Sequence, residues 1–128
     1  MNNKGFTLIE LLVAVAITGI LASLAVVNFI EYRKDTFNTV AQSDLRVAGT
    51  AQEAYFVDNS EYLSCNGAID CEQLPGFLAS KDPDSPTASI NPFNFQVTGD
   101  TFLGTAKHKK GTKTFIIDST EGSLKETP

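Results

Sequence analysis

The chain predicts an α+β fold: a long N-terminal helix, half transmembrane and half amphipathic, packed on a small antiparallel β-sheet. Three observations predict it. An apolar run with a single charge covers residues 6–30; apolar residues then recur at helical spacing as far as Tyr55; and beyond residue 92 the period changes to alternation.

From Leu11 to Val27 every residue is apolar, Gly, Ser or Thr, and Phe6 to Ile9 and Asn28 to Ile30 extend the run. As a helix at ~1.5 Å per residue it reaches about 37 Å, enough to cross a bilayer with some tilt. Residues 1–5 read MNNKG, and a positive charge ahead of a first apolar span favours keeping that end in the cytoplasm. Ala22-Ser-Leu-Ala25 mimics a secretory cleavage site. The run does not stop there, however, and Glu10 interrupts the part that a secretory signal keeps most apolar.

Beyond Ile30, residues Phe37, Val40, Ala41, Leu45, Ala48, Ala51 and Tyr55 form one apolar face, with Asp35, Asn38, Gln42 and Arg46 assigned to the other side. No proline precedes Pro75. One helix is therefore expected from about Thr7 to about Val57, on the order of 75 Å long, half of it projecting. Asp58-Asn59-Ser60 supplies its stop. Glu61 to Pro92 reads as loop, holding a Cys pair, a helical stretch from Cys71 to Ala79 and the breaker cluster Lys81-Asp-Pro-Asp-Ser-Pro86. Phe93 to Val97, Thr101 to Ala106 and Thr114 to Asp118 then read as a three-stranded meander, turning at Thr98-Gly-Asp100 and His108-Lys-Lys-Gly111. A sheet this small needs the apolar face of the helix to be stable.

The formal charge is −5, and acidic residues from Asp35 to Asp84 face only Arg46 and Lys81. Such a surface does not suit nucleic acid, whose phosphates need cations. Positive charge gathers at Lys107, Lys109, Lys110 and Lys113 around the single His108. That cluster reads either as a solvated hairpin turn or as a basic patch that meets an acidic patch on a neighbouring copy or an external ligand. Cys65 and Cys71 lack an accompanying His cluster, so a metal site is disfavoured. They read as a short disulfide loop if this part lies outside the cytoplasm, and as two free thiols in a reducing compartment.

The stretch KGFTLIELLVAVAITGILASLA resembles the N-terminus of proteins with a class III signal peptide, the type IV pilins (type IVa-like) and pseudopilins. The likeness is close over residues 4 to about 26, weaker to Asp58, and a matter of general plan beyond. It implies a leader, residues 1–5, cut by a membrane-embedded prepilin peptidase between Gly5 and Phe6, with methylation of the new Phe6 amino group. It implies a transmembrane and assembly helix over residues 6–30 and a periplasmic or extracellular pilin domain over residues 31–128. The precursor would sit in the inner membrane with its N-terminus cytoplasmic. It would pass through an inner-membrane assembly platform into a helical filament of its own copies.

Glu10 then acquires a purpose. A carboxylate in hydrocarbon is expensive and is usually kept for a job. A neighbouring helix that sets its Phe6 amino group beside Glu10 gives each charge a partner and fixes the axial register of otherwise slippery helices. The bland alternative is an isolated anchor whose Glu10 snorkels to the interface. Gly19 weakens the helix locally by up to ~1 kcal/mol relative to Ala. Many relatives carry a proline where this chain has Val27, so Gly19 is expected to allow bending or close packing rather than unwinding.

The expected function is a structural subunit of a type IV pilus, without catalysis, cofactor or metal. A Ca²⁺ site at Asp82 and Asp84 is set aside: two carboxylates are too few ligands, and turn chemistry accounts for them. The alternatives are a major-type pseudopilin of a type II secretion system, an electron-conducting pilin using Phe6, Phe29, Tyr32, Phe37, Tyr55, Phe56 and Tyr62, and a membrane-anchored binding module.

Overall fold

The computed structural model describes residues 5–81 and 89–128, which divide into two compact units at the boundary between Arg33 and Lys34. Most of the leader, and the breaker cluster from Asp82 with its two aspartates, lie outside the described residues.

Helix α1 spans Leu8–Asn59, close to the expected limits. In the N-terminal unit every described residue is exposed, as expected of a segment that is apolar all round and awaits lipid or other helices. The helix ends where expected. Asn59 Nδ2 donates to the Tyr55 carbonyl at 2.9 Å, Ser60 N–H donates to the Phe56 carbonyl at 2.8 Å, and Ser60 turns to a φ of 58°.

In the second unit the sheet has five strands rather than three: β1 Cys65–Asn66, β2 Ile90–Thr98, β3 Thr101–His108, β4 Thr114–Asp118 and β5 Leu124–Thr127. They are antiparallel neighbours in chain order, so the meander reading holds. The two added edge strands escaped because β1 is too short for any period and β5, LKET, has one apolar residue. The loop reading to Pro92 is corrected at its end, where β2 already begins at Ile90. The helical stretch at Cys71 to Ala79 shrinks to a 3₁₀ turn at Asp70–Gln73, which Pro75 and the positive φ of Gly76 prevent from continuing.

The helix presents small residues to the sheet. Ala41, Leu45, Ala48 and Ala51 are buried in one core with Phe77, Phe93, Phe95, Phe102 and Phe115. Ring centroids follow one another at 5.3 Å from Phe77 to Phe93, 5.9 Å to Phe95, 5.4 Å to Phe102 and 4.9 Å to Tyr62. Two glycines make this approach possible. A Cβ on Gly49 would lie 2.9 Å from Ile117 Cδ1, and one on Gly104 would lie 2.5 Å from Phe95 Cε1.

Three polar side chains on the helix are buried with partners. Asn38, expected on the solvent side, instead pins the β3–β4 turn. Its Oδ1 accepts from Thr112 N–H at 2.9 Å and Lys113 N–H at 3.1 Å, and its Nδ2 donates to Thr112 Oγ1. Asp44 accepts from Ser80 N–H and Ser80 Oγ, each at 2.8 Å. Gln52 acts as a two-way clamp on the chain leaving the helix: Nε2 donates to the Leu63 carbonyl at 2.6 Å and Oε1 accepts from Leu63 N–H at 2.9 Å. Replacing Gln52 by leucine keeps the volume but leaves both Leu63 groups unpaired. We expect a loss of about 1–3 kcal/mol for each, measurable by urea unfolding of the detergent-solubilised chain.

The basic cluster is not simply a solvated turn. His108 is only 5% exposed, stacked on Phe37 at 4.5 Å, and its Nδ1 accepts from Lys110 N–H at 3.0 Å. The lysines around it stay at the surface, and Lys113 Nζ lies 3.2 Å from Glu126.

Candidate assembly site at the helix N-terminus

Four residues define this end of the chain: Gly5, Phe6, Thr7 and Glu10. A helix starts with backbone N–H groups that no preceding turn can satisfy. Thr7-Leu-Ile-Glu10 solves this as a capping box, with Thr7 as the cap and Glu10 three residues on. Glu10 Oε2 accepts from Thr7 N–H at 3.0 Å and from Thr7 Oγ1 at 2.7 Å, while Glu10 N–H donates to Thr7 Oγ1 at 3.3 Å. Leu11 N–H, donating to the Thr7 carbonyl, opens the helical ladder. The carboxylate also lies in the first turn, where the aligned peptide dipoles favour negative charge.

Glu10 is therefore not an orphan within its own chain. Thr7 is the partner of Glu10 that the reading of Glu10 alone missed, although the Thr-x-x-Glu spacing ahead of an apolar run announces it. The site is open: Phe6 is 83% exposed, and a Cβ on Gly5 would meet nothing within 4 Å. The chain itself thus imposes no steric demand for glycine at position 5. Gly19 is likewise unobstructed, and α1 runs through it and through Val27 without a break.

The other residues singled out from the sequence lie in the second unit. Cys65 and Cys71 form a disulfide, with Cα atoms 5.2 Å apart, joining the start of β1 to the 3₁₀ turn. Among the aromatics there, Phe56 stacks on Tyr62 at 4.6 Å and Phe37 on His108, so these rings are engaged in packing. Among the described residues no group of three or more His, Cys, Asp or Glu side chains is arranged to hold a metal ion.

A groove of about 550 Å³ runs between helix and sheet in the second unit and is lined by Arg46, Gly49, Glu53, Phe102, Ile117 and Asp118 among others.

Comparison with known proteins places these features. Residues 1–26 match the prokaryotic N-terminal methylation motif. The type IV wide pilus major component PilA4 of Thermus thermophilus is 34% identical over 124 residues, covering 97% of this chain and 88% of that protein. The type IV major pilin protein PilA of Myxococcus xanthus is 43% identical over 61 residues, 48% of this chain and 28% of that protein's length. The type II secretion system core protein G of Dickeya chrysanthemi is 33% identical over 98 residues, 77% of this chain and 58% of that protein. The methylation motif, the long apolar helix laid on an antiparallel sheet and the near full-length likeness to a pilus component together make this chain a member of the type IV pilin family.

Proposed function

We propose that the chain is the structural subunit of a type IV pilus, built into the filament through its N-terminal helix. The observation that carries this is the placement of Glu10: one carboxylate, four residues beyond Phe6, in a run that is otherwise apolar and wholly exposed. A prepilin peptidase removes residues 1–5 by cutting between Gly5 and Phe6, and the Phe6 amino group is then methylated. The open surroundings of Gly5 suit this, since the demand for glycine then comes from the peptidase and not from the fold. Before assembly residues 6–30 span the inner membrane with the N-terminus in the cytoplasm, and residues 31–128 lie outside it. α1 is long and apolar enough for that crossing.

On assembly, Glu10 of one copy pairs with the Phe6 amino group of the next. The capping box supports this role. It holds the carboxylate on the first turn, against Thr7, the residue that follows Phe6, and keeps it hydrogen-bonded there until a neighbour arrives. Gly19 provides local give in an otherwise stiff packing surface. The mature protein is expected to begin at N-methylated Phe6, which Edman degradation and intact mass measure directly; a chain beginning at Met1 or past Ala22 would refute the reading.

The likeness to type II secretion core proteins supports a second reading, a pseudopilin of a short periplasmic fibre. The match to the Thermus pilus component spans more of both chains, which favours the pilus. Electron microscopy decides between them: surface fibres that vanish on deletion and return on complementation belong to a pilin.

A further inference from the structure

The second unit is electrically polar along its helix. Two aromatic contacts fix the alignment. Phe37, early in the packed part of α1, stacks on His108 at the end of β3, while Tyr62, just past the helix, lies edge-on to Phe102 at the start of β3. The helix and β3 thus share two ends, separated by roughly 28 Å of helix from Phe37 to Phe56, the ring on which Tyr62 stacks.

Around Tyr62 the charges are negative: Glu53, Asp58, Glu61 and Asp100. Glu53 takes the Tyr62 hydroxyl at 3.2 Å. The pairing of Asp118 with Leu103 brings the β4–β5 turn, with Glu121, to the same end. The cations there are engaged or outnumbered: Lys125 lies 2.6 Å from Glu121, and Arg46 shares the groove with Glu53 and Asp118. The Tyr62 hydroxyl titrates above its ordinary range, first through desolvation and then through the negative Glu53 and Asp100.

Around Phe37 the balance reverses. Lys34, Lys107, Lys109, Lys110 and Lys113 outnumber Asp35, Asp70 and Glu126 among the described residues, with Lys110 Nζ 5.9 Å from the Phe37 ring. Lys109 also shares a small cavity with Asp70.

We propose that these ends are the two halves of one contact between copies: the acidic end of one globular unit, at Asp58 and Glu61, docks on the Lys107–Lys113 turn of another. The occupant is a second copy because this chain itself carries both signs, on opposite ends and at the surface. A patch that meets a different patch on its partner makes a heterologous contact, which leaves a free half at each end and propagates into a filament instead of closing as a dimer. Complementary charge steers orientation and register more than it adds affinity, and salt screens it over about 10 Å at 0.1 M. The proposal rests on the filament reading above, and it assigns the globular units a register device separate from Glu10.

The test uses the full chain in a cell that assembles it. Lys107→Glu with Lys110→Glu, and separately Asp58→Lys with Glu61→Lys, are expected to lower sheared-fibre yield roughly fivefold, the scale of several surface pairs acting together. All four substitutions in one chain are expected to restore most of it. In mixed fibres of Asp58→Cys and Lys110→Cys chains, a bismaleimide is expected to give cross-linked dimers only when both chains are present.

Wild-type yield from both reversal pairs, failure of the combined chain to recover, or absence of the 58–110 cross-link in intact fibres overturns this contact and leaves the filament reading standing. If the wild-type chain, processed to Phe6, forms no fibre, both fall together. Melting of each variant in detergent reports folding independently, and the cross-link decides the matter even for a reversal variant that does not fold.

Discussion

Replacing Glu10 by valine is expected to leave the processed chain in the membrane and to remove it from fibres. The substitution deletes the charge that a neighbouring Phe6 amine would meet, and that amine then enters a desolvated interface alone. Stranding one member of such a pair is far worse than never having built it, so we expect a loss of roughly tenfold or more in sheared-fibre yield. N-terminal sequencing and whole-cell immunoblotting should meanwhile show processing and expression close to wild type. The capping box adds a control. Glutamine at position 10 retains a side chain that can reach back to Thr7 N–H and close the helix end, yet it has no charge. If Glu10→Gln assembles as well as wild type, the helix cap is what matters and the register argument fails. If it fails like Glu10→Val, the charge is the essential feature. Normal fibres from Glu10→Val would end the argument altogether.

The second large effect concerns Phe95. Its side chain is 1% exposed, edge-on to both Phe93 and Phe102, and it lies over Gly104 where no other residue fits. Its backbone also pairs in register with Cys65 of the disulfide-bearing edge strand. Phe95→Ala removes a fully buried ring from the middle of this aromatic chain, and neighbours on both sides are held by their own strand. Little collapse into the space is possible, and a cost of about 3–5 kcal/mol is expected. That is a large share of the roughly 5–15 kcal/mol that a small domain has to lose. Guanidinium unfolding followed by near-UV circular dichroism measures it. Val97→Ala, a half-buried position two residues along the same strand, is expected to cost clearly less. Equal midpoints for the two variants would show that the aromatic chain is not the centre of the core.

The residues themselves announced more of this protein than is usual. The limits of α1, its apolar face from Phe37 to Tyr55 and the three central strands all follow from short-range periodicity, which any stretch of chain carries within itself. The same holds for the Thr7–Glu10 cap and for the single charge in the apolar run, which the motif match and the pilin relatives then joined to a family.

Folding alone decided what depends on residues distant in the chain. Asn38 looks like a solvent-side residue until Thr112, 74 positions away, supplies its partner. His108 looks like part of a wet basic turn until Phe37 covers it. Strands β1 and β5 exist because a neighbour offers unpaired backbone groups, not because Cys65–Asn66 or LKET carries a strand pattern. The gathering of acids at one end of the globular unit and lysines at the other is of the same kind. Local pattern sets which face of an element is apolar, but a polar group is buried or exposed according to whether a remote partner replaces its water.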